Sequence, residues 1–266
     1  MNPAEKGARH LLRLTLLIGV APLLLILLGA VGTKLGLWGW RFGFGQLTVG
    51  WGSGIAALGL FTGLTAFYVA LFAGFRRLWP LALISLLIPV IVMAGFLGLR
   101  STAKRFPGHD IATNWTPPLA FSEQVMRIRG PQANPVHADP RSVWRNPETE
   151  NWMDRRAEAV NAGICPGAKP ARLTGDRAQA YARVKQTMTG QGLQILAEDP
   201  AAGRIDAVHE SFWFEFKDDV TARIAPDGNG WRVDVRSVSR VGGSDLGANC
   251  GRVVNLVKAL EGSTAG

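Results

Sequence analysis

The run VRSVSRVGGSDLGANCGRV, Val235–Val253, decides how the second half of the chain folds. Trp231, Val233 and Val235 alternate with Arg232, Asp234 and Arg236, the period-two pattern of a strand. Gly242-Gly243 breaks the pattern, and Ser244 or Asp245 offers a side-chain cap. Cys250, Val253, Val254, Val257 and Leu260 then share one helical face, so the run reads as strand, turn, helix. Upstream, Pro226-Asp227-Gly228-Asn229-Gly230 is a hairpin turn in which proline fixes φ and glycine supplies φ > 0. Before it, Val220, Ala222 and Ile224 alternate with Thr221 and Arg223. Arg204–Phe216 is a long β-rich run, and Leu193–Ala197 a short strand. Asp176–Thr189 places Ala178, Tyr181, Val184 and Met188 on one helical face, ended by Gly190 and Gly192. The order helix, four strands, helix predicts an α+β domain over residues 161–262, an antiparallel sheet of about four strands with two packed helices.

The first hundred residues belong to another class. Leu14–Thr33, Phe42–Phe75 and Leu78–Leu99 carry no charged residue. Roughly 20 apolar residues at ~1.5 Å rise cross a ~30 Å hydrocarbon layer, so residues 1–100 read as three transmembrane helices at about 14–33, 51–75 and 79–99. The middle run exceeds one span, and Gly43, Gly45 and Gly50 mark its start as an interfacial stretch. Leu28-Gly29-Ala30 is a poor cleavage site and the first run is long for a signal peptide, so that helix is expected to be retained. Lys6, Arg9, Arg13, Arg76 and Arg77 flank one side, and Lys34, Arg41, Arg100, Lys104 and Arg105 the other. The count is even, and the basic flank ahead of the first helix breaks the tie. The expected setting is the bacterial inner membrane, N-terminus cytoplasmic and C-terminal domain periplasmic. Trp38, Trp40 and Trp51 then form an aromatic belt at the outer interface.

Charge divides along the same boundary. The formal net charge of +9 is concentrated on residues 1–100, where Glu5 is the sole acid. The soluble half is near balance and lacks the clustered basic face a nucleic-acid binder needs. No Asp, Glu, Lys, Arg or His lies inside a span, which argues against a transporter or channel. Gly50-x-x-x-Gly54 and Gly59-x-x-x-Gly63 allow close helix approach. They serve either packing among the three helices or a homodimer. Residues 101–160, punctuated by Pro107, Pro117, Pro118, Pro131, Pro135, Pro140 and Pro147, read as an extended linker or wrapping segment.

The runs FKDDVTARI (Phe216–Ile224) and VDVRSVSRVGGSDLGANCGRV (Val233–Val253), with PGHDIATNWTPPLAF (Pro107–Phe121) upstream, resemble the family named domain of unknown function 1499. That family has a Phe-x-Asp-Asp strand before Arg-Ser-x-Ser-Arg-x-Gly-x-x-Asp-x-Gly-x-Asn, and His-Asp-Ile-x-Thr-Asp-x-x-x-Pro-Pro-x-Phe upstream. The resemblance spans about residues 106–260. This chain has Asn114 where the family usually has Asp, and Cys165-Pro166-Gly167 where it usually has Tyr-Pro-Asp. The resemblance implies an architecture and a membrane or envelope setting, and no established reaction.

The candidate ligand-binding residues are Arg236, Ser237, Ser239, Arg240, Asp245, Asn249, Asp218, Asp219, His109 and Asp110. In the ligand reading, Arg236 and Arg240 hold an anion with the free N–H groups of a helix start. Asp245 opposes this by occupying that positive end, so in the structural reading Asp218, Asp219 and Asp245 pair with Arg236 and Arg240. Asp218 and Asp219 face opposite ways on a strand, as do His109 and Asp110 on extended chain. The latter pair is therefore expected to dock its segment onto the domain. His137 and His209 are too scattered to complete a zinc site, and no metal or cofactor is expected. Cys165 and Cys250 could form a disulfide, but Cys250 lies on an apolar helix face, and a small buried thiol is the simpler reading. The expected function is a membrane-anchored envelope protein whose soluble domain is a binding or assembly module, its partners an envelope protein or anionic lipid. A hydrolase acting on envelope lipid or glycan is the alternative.

Overall fold

The computed structural model describes residues 3–136, 141–145 and 152–262. It divides into two compact units, one of Met1–Ser101 with Ser211–Glu215, the other of Thr102–Glu210 with Phe216–Gly266.

The first unit contains α1 (Pro3–Lys34), a π-helical segment (Arg41–Gly52), α2 (Ser53–Phe72) and most of α3 (Trp79–Arg105). Three stretches, Pro3–Lys34, Arg41–Phe72 and Arg76–Arg105, are long and apolar enough to cross a membrane. The glycine-rich stretch after Arg41 continues directly into α2, where the sequence suggested only an interfacial lead-in. Helical continuation satisfies its backbone groups internally, as a hydrocarbon setting demands. Thr48 adds a bond of 3.0 Å from its hydroxyl to the Gly43 carbonyl. The wide-turn segment packs very closely on α1, because a Cβ on Gly29 would lie 2.4 Å from the Gly43 carbonyl oxygen. Gly59 and Gly63 pack α2 within its own bundle: a Cβ on Gly63 would lie 2.8 Å from the Ser85 carbonyl, and one on Gly59 3.2 Å from the Gly19 Cα. Gly54 faces open space.

The second unit is α+β. Six antiparallel strands form its sheet: β1 (Asp110–Ala112), β4 (Ala171–Leu173), β5 (Gln194–Asp199), β6 (Arg204–Glu210), β7 (Lys217–Asp227) and β8 (Gly230–Ser239). The order is β1-β8-β7-β6-β5, and β4 pairs with β8 beside β1. Two strands beyond the expected four are β1 and β4, three residues each and too short for an alternation to show. β2 (Arg141–Arg145) and β3 (Trp152–Arg156) pair antiparallel as a separate two-stranded sheet. The β7–β8 hairpin closes with Asp227 opposite Gly230, and Gly228 supplies φ +58°. β6 ends at Glu210, six residues before the sequence pattern does, and Ser211–Glu215 leaves the sheet.

Helices α5 (Ala157–Ile164), α6 (Arg177–Gly190) and α7 (Ala248–Gly262) belong to this unit. α6 starts with a full capping box between Asp176 and Gln179. Val184 and Met188 of α6, and Val253, Leu256 and Leu260 of α7, join Val220, Val233 and Val235 in the main core.

The other face of the sheet is covered too, by part of the stretch read as a linker or wrapping segment. Residues 113–136 lie across it, and the stretch read as extended contains α4 (Glu123–Arg129), capped by Ser122. Its path is traced by bonds. Thr113 pairs with Val235, Pro117 accepts from Arg223, Ser122 N–H donates to Asp206, and Gln124 donates to the Leu196 carbonyl. Asn134 N–H then returns to the Arg240 carbonyl at 2.7 Å. Phe121 and Val125 pack on Val238.

Cys165 and Cys250 are bonded, with Cα atoms 5.6 Å apart, so the free-thiol expectation is corrected. Cys250 lies beside the apolar stripe of α7 and faces the loop after α5. Burial there suits a disulfide as well as a thiol.

Candidate functional site

The two faces of β7 and β8 carry two different polar layers. Val233, Val235, Ser237 and Ser239 point toward the helices. Asp234, Arg236 and Val238 point toward the covering segment, as does Arg240 just beyond the strand. This division follows from strand pleat and from the partners each side chain meets.

On the helix side, Asn249 in the first turn of α7 is the organiser. It accepts from the Ser237 hydroxyl at 2.6 Å. Its amide donates to the Ser239 hydroxyl at 2.9 Å and to the His109 carbonyl at 3.1 Å. Arg252 donates to Ser237 and Asn249 and pairs with Asp218 at 2.8 Å. Asp245 caps α7, accepting from the N–H groups of Gly247 and Asn249 at 2.8 and 2.9 Å. Burial raises the Asp245 pKa against those backbone donors. Ser237, Ser239, Asn249, Asp245, Asp218 and the backbone of His109 are thus brought together, around Arg252. A nucleophilic serine needs a hydrogen-bonded base; both serine hydroxyls here bond to an amide instead.

On the covered side, Arg236 is 1 % exposed. It grips Asp110 through two bonds, 2.9 and 2.6 Å, and donates a third to the Leu119 carbonyl at 2.6 Å. Its guanidinium stacks on Trp115 at 4.8 Å. Asp219 is fully buried and takes a bidentate pair from Arg240, 2.8 and 2.7 Å, as well as a bond from Arg129. Burial lowers the Arg129 pKa, and Asp219 opposes the fall. Asp234 is held by Arg223, Arg232 and Asn114. Asp206 accepts from Ser122 N–H at 2.8 Å. Buried carboxylates without such partners would cost several kcal/mol each, in the range of ~several per ion for desolvation.

Of the three carboxylates expected to pair with Arg236 or Arg240, one does. Asp219 does pair with Arg240. Arg236 pairs with Asp110, because β1 and β8 are neighbours and Asp110 lies opposite Val238. Asp218 pairs with Arg252, and Asp245 is a cap. Adjacent Asp218 and Asp219 do serve opposite faces. Arg129, Asp234, Asp206, Arg252 and Trp115 complete the layers and escaped the sequence reading. One signal was present: the cations of these layers are arginines and the acids aspartates, the short, forked set that suits buried bidentate pairs. Among the described residues, no group of three or more His, Cys, Asp or Glu is arranged to hold a metal ion; His137 lies outside them.

A family model, Protein of unknown function (DUF1499), matches residues 110–260, more than half of the chain. The chain belongs to the DUF1499 family. No curated protein and no solved structure matches it. Within the DUF1499 domain, the motif residues Asp219, Arg236, Ser237, Ser239, Arg240, Asp245 and Asn249 bond to one another or to the covering segment, and Asp218 bonds to Arg252. The two departures from the motif have physical counterparts. Asn114 donates to Asp234 where an Asp would place a second carboxylate. Cys165 and Gly167 sit against α7, through the disulfide and through Val254, which a Gly167 Cβ would approach to 3.1 Å.

His209 lies opposite Asp218 on the helix side, and its Nδ1 is buried without a hydrogen-bond partner among the described residues. Burial, then Arg252, lowers its pKa from 6.5, while Asp218 and Glu210 oppose. The unfolded chain then binds the proton more readily than the native one. This contribution to stability is present above the unfolded value and is lost as pH falls toward the folded one. We expect the melting temperature to fall between about pH 7 and pH 5, and less steeply in His209→Gln. Parallel profiles for the two proteins would refute this assignment.

Proposed function

We propose that this DUF1499 chain is a membrane-anchored envelope protein whose folded domain faces the periplasm and acts as a binding or assembly module. Three apolar helices support the anchor, and the Cys165–Cys250 bond supports an oxidising compartment. The motif charges are spent inside the domain, which favours a rigid scaffold presenting a surface over a reaction centre.

The contact face is the exposed part of the motif, the loop from Arg240 to Ala248. The observation that carries this choice is Leu246. It is exposed yet held at φ +57°, a region costly for a non-glycine side chain. Ser244 accepts from its N–H at 3.2 Å, and Asp245 bonds both Gly247 and Asn249 beyond it. The fold thus tolerates strain to present an apolar tip on the loop that begins at the partly exposed Arg240, a combination suited to an envelope protein or an anionic lipid headgroup. Calorimetric titration of the full-length protein in nanodiscs, with phosphate-bearing headgroups and cell-wall fragments, tests it. Leu246→Asp should weaken binding by about tenfold or more; equal affinity in the variant would reject this face.

A further inference from the structure

The β6–β7 connection is SFWFE, Ser211–Glu215. A connection between antiparallel strands is normally built of Gly, Asn, Asp or Ser. This one presents Phe212 and Trp213 at 65 % and 50 % exposure, their rings packed edge to face on each other at 4.8 Å. Apolar ring surface left in water forgoes the free-energy gain of burial.

The loop is part of the helical unit, not of the sheet. Phe214 packs edge to face on Phe44 of the π-helical segment at 5.1 Å. Glu215, at φ +54°, closes the turn onto the Ser211 carbonyl and pairs with Lys34 at the end of α1, 3.6 Å away. The same lysine lies over the Phe212 ring at 4.9 Å. Glu215 and Leu246 are the non-glycine residues with positive φ among those described. The helices bring more aromatic rings to this end: Trp38 contacts Phe42 at 5.4 Å, and Phe42 contacts Trp51 at 6.1 Å. Aromatic rings with lysine at the end of an apolar span mark the boundary between headgroups and acyl chains.

We infer that Ser211–Glu215 is a fourth membrane contact: Phe212 and Trp213 insert at the headgroup–acyl boundary of the bilayer that holds the helices. The inference rests on the membrane reading above, with the lipid surface as occupant. There Phe212 gains burial and Trp213 gains burial while its indole N–H stays wet, and the Lys34–Glu215 pair stays at headgroup level.

The native cysteines are paired, so Trp213→Cys, Phe212→Cys and Gly228→Cys each supply a single free thiol for an environment-sensitive fluorophore. Gly228 is an exposed turn residue of the domain and serves as the aqueous reference. The full-length variants are reconstituted in phosphatidylcholine–phosphatidylglycerol vesicles. A lipid nitroxide near the headgroup end of the acyl chain should quench positions 212 and 213, and iodide should quench them about threefold or more less than position 228. Iodide quenching equal to that at 228, with no lipid quenching at either loop position, would overturn the inference. The side from which a membrane-impermeant maleimide reaches the 228 thiol reads the compartment separately, so failure of the topology and failure of the loop contact remain distinct.

Discussion

Arg236→Ala should lower the unfolding free energy of the DUF1499 domain by about 3–5 kcal/mol, the range for removing one partner of a buried ion pair. The cause is what remains. Asp110 is left at a buried site without its guanidinium partner, the Leu119 carbonyl loses its donor, and Trp115 loses the cation above its ring. For a domain of this size each kcal/mol shifts the midpoint by roughly 2–4 °C, so a fall on the order of 10 °C is expected in a thermal melt of the full-length protein. The exposed pair Arg172–Asp227 is the control, since surface pairs contribute about 0–1 kcal/mol.

The second large effect is loss of the disulfide. It links residues 85 apart in sequence, tying the loop after α5 to the helix that covers the core. In the chain-entropy picture a closed loop of that length is worth roughly 4–5 kcal/mol. Cys165→Ala/Cys250→Ala should therefore be destabilised by about that amount, and reductant should shift the melting of the native chain but not of the variant. A reductant effect that persists in the variant would mean that the bond does not stabilise the fold.

The strand-turn-helix reading of Val235–Val253 and the hairpin at Gly228-Asn229 were legible because both depend on local chemistry. Two-residue alternation, φ > 0 at glycine and a carboxylate cap need no distant partner. The three apolar helices were legible for the same reason. The long-range features were not. Arg232, Asp234 and Arg236 alternate with valines as solvent-facing residues do, and only the covering segment 113–136 makes that face an interior. Its bonds join residues about a hundred positions apart, as Arg236 and Leu119 show, and no spacing rule connects them. The end of β6 was misjudged because Phe212, Trp213 and Phe214 have the composition of a strand, whereas their partners are Lys34 and Phe44. Cys250 carries the same ambiguity, since an apolar helix face suits either sulfur state.

The structural role of the motif is tested most directly by a double-mutant cycle on Asp110 and Arg236. Asp110→Leu, Arg236→Met and the double variant are compared by denaturant unfolding of the full-length protein. A buried pair replaced whole by apolar residues is often tolerated, so each single variant should lose about 3–5 kcal/mol and the double should recover most of that loss. Single variants within about 0.5 kcal/mol of the native protein, or losses that simply add, would contradict a clamp and return Arg236 to the surface as a ligand contact.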